Sequence, residues 1–363
     1  MFSSVFQDLL ADDTLTGLVA RFADQATEHA CAGLFQASAR PLRPGGSTAS
    51  WDEVRFGRHL APVTGPKSPH PRAEPLGVVR RQCALASIKL YKDVPAAHLF
   101  LDPTPDEDVR RRAETLLAQE LLDLGTLIAN TREYLAASAL LGRIEVNERT
   151  VPGSDVAFTV EFGNRRARAL TSWADPNTKI RSAELLRLKR VFKDEAGRRA
   201  GVVLTEPGVD SSFVQNEELK AYAARKLGAE ILANLELTGT NPQWEGLAGL
   251  SWRFTDGTYR PEGGAVTRYF PRETVVVLPE AERLKDVLGW AEGRVFVPRG
   301  PRHVLDVQLV TDAVRERRGV YAYAEVRTDP CAIRIYAGWT GMPVVLDPNA
   351  VLVYRTAVPA GVP

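Results

Sequence analysis

The segment between Thr104 and Gly142 carries the strongest helix signal in the sequence. It opens with a capping box, in which Thr104 takes the N-cap position, Pro105 the first helical position and Glu107 the third position after the cap. No proline follows until Pro152, and Gly142 offers a C-terminal stop. Apolar residues keep helical spacing at Val109, Leu116, Leu117, Leu121, Leu124, Leu127, Ile128, Leu135 and Leu141. The pattern predicts one helix of about 38 residues, roughly 57 Å long, and few globular domains need a helix of this length.

A proline-rich stretch from Pro41 to Pro75 precedes this helix. Prolines at 41, 44, 62, 66, 69, 71 and 75 exclude a helix and disfavour a central strand, because each removes a backbone donor. Strand-like pieces flank the stretch at Ser50–His59 and Val78–Tyr91. The sequence therefore predicts a long two-stranded excursion with a stiff tip. Because an isolated hairpin is marginal in water, we expect another molecule to support it.

The remaining patterns mix helices and strands. Residues 1–30 predict one or two short amphipathic helices. After the long helix we expect a hairpin, two helices and a series of strands, which together indicate an α+β protein. These predicted elements are the hairpin Arg143–Val146 with Val156–Phe162, helices at about Asn177–Ala196 and Ser211–Leu227, a short helix at about Glu280–Leu288, and strands at Val202–Leu204, within 231–278, at Arg294–Val297, Val320–Val326, Ala332–Tyr336 and Met342–Tyr354.

Composition excludes several classes of protein. A net charge of +1 argues against a protein that binds nucleic acid or membranes mainly through bulk charge, although a local basic face remains compatible with it. No apolar run reaches the length of about 18 residues that a membrane helix needs. The first residues lack the basic flank and apolar core of a signal peptide, so we expect a soluble intracellular product. The three cysteines, at 31, 83 and 331, are widely separated and predict no disulfide framework.

No pattern typical of catalysis or cofactor binding occurs. The five histidines are dispersed and form no HxH or HExxH arrangement, so we expect no metal site. The sequence also lacks a P-loop, a dinucleotide-binding GxGxxG after a strand and a GxSxG nucleophile elbow. We therefore expect a protein that is not an enzyme and uses no cofactor. An enzyme built from scattered carboxylates and arginines is a remote alternative.

Two groups of arginines are candidate contact residues. Arg110, Arg111 and Arg112 open the long helix, where the helix dipole disfavours positive charge, and Arg315, Arg317 and Arg318 form the second group. Their counter-charges could be acidic residues of the same helical turn or of a neighbouring subunit, or a nucleic-acid backbone. The residues alone leave these readings open. An N-terminal arm, a proline-tipped hairpin and a spine-like helix that do not support one another suggest a shell protein, in which neighbouring subunits supply the missing burial.

The order of these parts resembles that of the major capsid proteins of lambda-type tailed bacteriophages, the phage capsid protein E family, which have an HK97-like fold. Four stretches carry the resemblance: DEDVRRRAETLLAQELLDLGTLIANTREYLAASALLGRIEV, TSWADPNTKI, FPRETVVVLPE and GMPVVLDPNAVLVYRTA. The resemblance implies an N-terminal arm at 1–49 and an extended E-loop at 50–92. It also implies a peripheral domain at 93–200, with a spine helix at about 104–142, an axial domain at 201–326, and return strands of the peripheral domain at 327–363.

The resemblance further implies a structural function, partners and a location. Copies of the chain would form hexamers and pentamers of an icosahedral shell that encloses double-stranded DNA without reading its sequence. A separate scaffold, a portal and a decoration protein are the partners expected of such a shell, and no membrane is. The location would be the virion, after assembly in the cytoplasm of a bacterial host. An encapsulin-like nanocompartment that packages a cargo enzyme is the alternative within this fold. Some relatives cross-link a loop lysine to an asparagine, and Lys67 with Asn349 is the pair that this chain offers.

Overall fold

The computed structural model describes residues 12–24, 30–35, 42–44, 48–54, 78–95, 106–227, 247–261, 264–298, 302–303, 314–328 and 331–357. The helices are α1 Asp12–Asp24, α2 Asp106–Leu140, α3 Leu185–Ala196, α4 Pro207–Gln215 and α5 Glu217–Leu227. The strands are β1 Arg43–Pro44, β2 Thr48–Val54, β3 Val78–Ala84, β4 Ala86–Pro95, β5 Arg143–Val146, β6 Phe158–Glu161, β7 Arg165–Arg168, β8 Ala200–Thr205, β9 Ser251–Phe254, β10 Thr258–Tyr259, β11 Thr267–Arg268, β12 Thr274–Pro279, β13 Leu288–Glu292, β14 Arg294–Pro298, β15 Arg302–His303, β16 Val314–Thr328, β17 Cys331–Val345 and β18 Leu352–Arg355.

Helix α2 is the predicted long helix, and it forms the spine of the fold. Its buried face repeats every three or four residues, at Leu117, Leu121, Leu124, Ile128 and Leu135. The predicted stop at Gly142 is confirmed, because Gly142 takes a left-handed φ of +96°. The buried side chain of Asn164 completes this end by donating from Nδ2 to the carbonyl oxygens of Ala139 and Leu140, both at 2.9 Å. These two bonds satisfy carbonyls that the helix itself leaves without partners.

The spine helix packs on a sheet of long antiparallel strands, here called sheet I. Strand β17 lies at its centre and pairs with β4, β16 and β13, while β14 and β15 pair with β16. Alternate residues of β17 point to opposite faces. Ile333, Ile335 and Trp339 are buried on the spine side, whereas Arg334 and Tyr336 lie on the outer face.

A second sheet, sheet II, has the strand order β7-β18-β12-β8-β9. Its central strand β12, TVVVLP, is buried at every residue and therefore reads as a continuous apolar run. Aromatic rings fill one side of the sheet, where Trp173 contacts Phe213 at 5.7 Å and Tyr354 at 5.9 Å between ring centroids. The sheet brings residues near 165, 200, 275 and 353 together.

The predicted single helix at Ser211–Leu227 is wrong, since the chain forms α4 and α5 separated by Asn216. Asn216 has extended backbone angles, and its Oδ1 accepts from Leu219 N at 3.1 Å, which caps α5. Its Nδ2 donates to the carbonyl oxygens of Pro176 and Thr178. These contacts with a distant loop stabilise a break that local propensity does not reveal.

The predicted closing strand at Met342–Tyr354 is also divided in two. Strand β17 ends at Val345 in sheet I, and β18 begins at Leu352 in sheet II. A 3₁₀ turn at Pro348–Ala350 connects them, because the proline has no amide hydrogen to continue a ladder. The predicted helix at Asn177–Ala196 is present but opens with a π turn at Ile180–Glu184.

The expectation that the N-terminal arm lacks support from its own chain is wrong for α1. Leu15 and Val19 are buried against the same chain, where α1 packs on the spine helix and β16. Thr16 Oγ1 donates to the carbonyl oxygen of Ala322 at 3.0 Å and accepts from the Ala322 amide at 3.1 Å. This helix therefore belongs to the folded body of the subunit.

The two sheets do not follow the predicted segment limits. Strand β16, which begins inside the segment 201–326, pairs from Gly319 to Thr328 with β17 of the segment 327–363. Strand β18, which belongs to the latter segment, pairs with β12 and β7 in sheet II. Strands that return from distant parts of the chain therefore complete each sheet.

Candidate assembly surfaces

The predicted E-loop has a well-defined root. Strands β2 and β3 pair antiparallel from Thr48 opposite Ala84 to Val54 opposite Val78. Trp51 anchors this hairpin because its side chain is buried, with its ring 6.3 Å from that of Phe162. The tip of the excursion, residues 55–77, lies outside the described residues. The root thus attaches both ends of this insertion to the fold at a fixed point.

The outer face of sheet I carries a row of neighbouring tyrosine rings, here called the tyrosine ladder. Ring centroids are 6.1 Å apart for Tyr91 and Tyr336, 4.6 Å for Tyr336 and Tyr323, and 6.5 Å for Tyr323 and Tyr321. Tyr91 is 58% exposed although it is aromatic. Burial raises the pKa of Tyr323 to about 12, so its hydroxyl stays protonated at neutral pH. A rigid aromatic surface of this kind is typical of protein–protein contacts.

An ion pair closes one end of the tyrosine ladder. Arg334 donates to both carboxylate oxygens of Asp93, at 2.6 and 2.7 Å, and its guanidinium lies 4.2 Å from the centroid of the Tyr91 ring. The hydrogen bonds from Arg334 hold the pKa of Asp93 below its ordinary value. The pair therefore stays charged at neutral pH and holds the end of the aromatic row in place.

Apolar side chains are also exposed on the spine helix and on β14. Leu122 and Leu127 are 44% and 49% exposed, and Phe296 is 70% exposed. Beside Leu122, Lys92 of β4 contacts Glu120 at 2.5 Å and Asp123 at 2.7 Å. The hydrogen bond to Asp123 is the main cause that raises the pKa of Lys92. Exposed apolar residues with charged neighbours are compatible with contact to another subunit.

The two predicted arginine groups lie in different parts of the fold. Arg110, Arg111 and Arg112 lie in the first turns of the spine helix, and their side chains are outside the described residues. Arg315 pairs through its backbone with Val297, and its side chain is likewise not described. Arg317 forms an ion pair with Asp13 of the same chain, which attaches α1 to β16. Arg318 Nε lies 4.0 Å from Glu316 Oε1.

Of the two residues of the predicted cross-link, Asn349 alone belongs to the described residues. Lys67 lies outside the described residues. Asn349 is half-buried in the turn before β18, and its Oδ1 accepts from Arg165 Nε at 2.9 Å within the same chain. The covalent link between subunits stays a prediction.

Sequence reasoning missed a cleft of about 680 Å³ beside sheet II, here called the arginine cleft. Its charged lining consists of Arg143, Arg166, Arg168, Arg272, Arg355 and Glu273. The rest of the lining is largely apolar and includes Leu141, Pro271 and Val353. Apart from the run RRAR at 165–168, which supplies Arg166 and Arg168, these arginines are dispersed over more than 200 positions, and the sequence does not group them. The fold alone assembles them.

The described ranges hold neither a metal-binding cluster nor a membrane-spanning helix. Across these ranges, no group of three or more His, Cys, Asp and Glu side chains could hold a metal ion. No helix among them combines the length and apolar character needed to cross a membrane. Cys31 and Cys83 are buried free thiols, and burial is the largest cause that raises the pKa of each. What the described surface offers is contact area and charge.

Comparison with solved structures identifies the fold. A prophage protein of Escherichia coli CFT073 described as a capsid protein has a TM-score of 0.56 at 11% identity, over 96% of this chain and 99% of that chain. A phage-related protein from Bordetella bronchiseptica RB50 has a TM-score of 0.47 at 12% identity, over 98% of this chain and 99% of that chain. A chain from Gordonia phage Cozz has a TM-score of 0.47 at 14% identity, over 92% of this chain and 88% of that chain. The α+β, HK97-like fold expected from the sequence is confirmed.

Comparison of sequences identifies the family. No curated protein matches the chain. The family described as phage major capsid protein E matches residues 48–286, from the root of the predicted E-loop to the turn after β12. This match spans more than half of the chain and includes the spine helix and most of sheet II. The chain belongs to the phage major capsid protein E family.

Proposed function

We propose that copies of this capsid protein close into the hexamers and pentamers of an icosahedral phage head that encloses double-stranded DNA. Membership of the phage major capsid protein E family is the observation that carries the proposal. It also supports a structural role in the virion, and we propose that the subunit carries no catalytic activity. The family match favours this role over that of an encapsulin-like compartment.

We propose that the subunit is divided into an arm, a loop and two domains, as the resemblance implies. The sheets support a modified division, in which sheet I and the spine helix form the peripheral domain and sheet II with α3, α4 and α5 forms the axial domain. The hairpin of β2 and β3 would carry the E-loop to a neighbouring subunit. The tyrosine ladder, Leu122 with Leu127, and Phe296 are candidate surfaces for such neighbours.

A separate scaffold, a portal and a decoration protein remain the expected partners of assembly in the bacterial cytoplasm. Lys67 and Asn349 remain a proposed cross-link between neighbours. Denaturing mass spectrometry of assembled shells tests this last proposal, because an isopeptide bond joins chains into covalent oligomers. Recovery of intact monomers alone would contradict it.

Negative-stain electron microscopy of the full chain, produced alone and with a scaffold gene, tests the main proposal. We expect closed shells, and a homogeneous monomer or dimer under both conditions would contradict it. The matched variant replaces residues 55–77 by a short Gly-Ser turn, since Val54 and Val78 are direct partners and the root can close without the tip. We expect this variant to fold with an unchanged melting temperature and to form no shells. Closed shells from it would contradict the role of the loop.

A further inference from the structure

The arginine cleft concentrates positive charge in a chain whose net charge is only +1. Five arginines and a single carboxylate, Glu273, line the cleft. Four of these arginines, Arg166, Arg168, Arg272 and Arg355, are exposed, and Arg143 has 52% of its side chain exposed. Their charges therefore remain in contact with solvent, where a ligand can reach them.

Strand register explains why the charges converge. Arg166 and Arg168 are two residues apart on β7 and so project to the same face of the sheet. Strand β18 runs parallel to β7 and places Arg355 directly beside Arg168. On the opposite face, the Tyr354 side chain is buried in the core. Like charges that are direct neighbours across two strands destabilise a sheet unless a negative group compensates them.

Within the described residues, the cleft lacks that compensation. Arg143 Nη2 pairs with Glu145 at 3.0 Å, but no described carboxylate lies within ion-pair distance of Arg166, Arg168, Arg272 or Arg355. Arg165, which begins the same strand, does have a partner, because its Nε lies 3.2 Å from Glu195. Arg268 likewise pairs with the buried Glu206 at 2.8 Å. Among the described residues, acids thus lie beside other arginines of this region and not beside Arg166, Arg168, Arg272 or Arg355.

The backbone at the edge of the cleft is held in an unusual conformation. Glu273 has a left-handed φ of 57°, which costs a non-glycine residue free energy. Two hydrogen bonds hold this residue, since its amide donates to Glu206 Oε1 at 3.2 Å and its carbonyl accepts from the Thr356 amide at 2.9 Å. The arrangement orders the turn that carries Arg272 beside the end of β18.

We propose that the arginine cleft binds the phosphodiester backbone of the packaged double-stranded DNA. The proposal rests on the proposed function of the shell. A surface ion pair with a single carboxylate adds little binding free energy, whereas a polyanion gains by releasing condensed counterions at each contact. Several exposed and uncompensated guanidinium groups therefore suit a regular polyanion better than one acidic side chain. No sequence reading is implied, because the contacts are to phosphates.

Fluorescence anisotropy with a labelled 20-base-pair duplex and the unassembled full chain tests this proposal. If four arginines each contact a phosphate, the logarithm of the affinity should fall against the logarithm of salt with a slope of about −3.6. The variant Arg166→Gln/Arg168→Gln/Arg355→Gln should reduce the magnitude of this slope by about 2.7 and weaken binding at least tenfold at low salt. A matched variant, Arg149→Gln/Arg253→Gln/Arg260→Gln, removes the same charge from exposed positions outside the cleft and should change both much less.

Equal losses of affinity and slope in the two triple variants would overturn the proposal, because bulk charge would then explain the binding. Shells that fail to form while duplex binding is unchanged would also overturn it, since the cleft would then hold an acidic segment of a neighbouring subunit. The single variant Arg272→Gln lies in a turn outside the strands, and it should reduce the magnitude of the slope by about 0.9 even if the triple variant is poorly folded. Electron microscopy of the same preparations measures shell assembly independently of duplex binding. A failure of the shell proposal is therefore distinguishable from a failure of the cleft proposal.

Discussion

The buried carboxylate of Glu133 is a specific target for perturbing the N-terminal region. Glu133 lies on the spine helix with no exposed surface. Its two oxygens accept from the amides of Cys31 and Ala32, at 2.9 and 2.7 Å, which begin the short 3₁₀ turn Ala32–Leu34. Burial, followed by the Glu133 charge, raises the pKa of the Cys31 thiol, so the thiol stays neutral beside the carboxylate. These bonds attach the turn to the spine across about a hundred residues of sequence.

The substitution Glu133→Gln keeps the shape of the side chain and changes its hydrogen-bonding capacity. The amide oxygen can accept from one of the two backbone amides, but the amide nitrogen is a donor and opposes the other. The variant therefore loses one charge-assisted hydrogen bond and converts the second into a neutral one. Because hydrogen bonds to charged groups contribute about 1.5–3 kcal/mol each, we expect a net loss of about 2 kcal/mol. If the loss acts on global unfolding, the melting temperature should fall by about 3 °C for a chain of this length.

Hydrogen exchange of the amides at residues 31 and 32 measures the effect locally. A loss of about 2 kcal/mol predicts exchange that is roughly thirtyfold faster if the turn opens independently of the rest of the fold. Glu282→Gln is the control, because Glu282 is exposed and has no ion pair in the described structure, and it should leave exchange at both amides unchanged. Unchanged protection of these amides in Glu133→Gln would refute the reasoning that this carboxylate holds the turn.

Two further predictions concern glycines and pH. Gly142→Ala should destabilise the fold by about 1 kcal/mol or more, because Gly142 is left-handed and a new Cβ would lie 3.2 Å from that of Asn164. Gly17→Ala should instead stabilise it by about 0.5–1 kcal/mol, since Gly17 is exposed inside α1 with no atom near a new Cβ. Urea unfolding measures the free energy of unfolding of both variants. Changes of the same sign in the two variants would contradict the argument. Burial raises the pKa of Cys83 from 9.0 to about 11, so the unfolded chain loses this proton first and stability should fall as the pH rises from 9 to 11. Cys83→Ala should show a smaller decline than the parent chain in urea unfolding between pH 8.5 and 10.5, and identical declines would count against the assignment.

Local signals explain which elements could be predicted from the sequence. The spine helix has its apolar period and the stop at Gly142 within one segment, and the hairpin of β5 and β6 follows directly from the turn at Pro152 and Gly153. The break at Asn216 depends instead on carbonyl groups of Pro176 and Thr178, about forty residues away. No window of local propensity contains that information. The same holds for β17 and β18, because the sheet that each strand joins is decided by partners distant in sequence.

The arginine cleft shows the same limit for a candidate site. Arg166 and Arg168 belong to the run RRAR at 165–168, which sequence reasoning did not single out, and Arg355 stands alone near the end of the sequence. Only the parallel register of β7 and β18 places Arg355 beside Arg168. The consecutive arginines at 110–112 attract attention because they are adjacent in sequence. Adjacency in sequence is weaker evidence for a shared binding site than proximity in the folded structure. A net charge near zero also conceals a local excess of positive charge, because the net charge is a sum over surfaces that lie far apart.

An apolar pattern in the sequence predicts which residues become buried. It does not show whether the same chain or a neighbouring subunit buries them. Leu15 and Val19 satisfy this need inside the subunit, which is why the prediction of an unsupported arm was wrong for α1. Leu122 and Leu127 lie on the spine helix outside its buried face and remain 44% and 49% exposed. In a protein that forms a shell, apolar residues that stay exposed in the isolated subunit are the ones that neighbouring subunits can still bury. We therefore expect contacts between subunits to include this part of the spine helix.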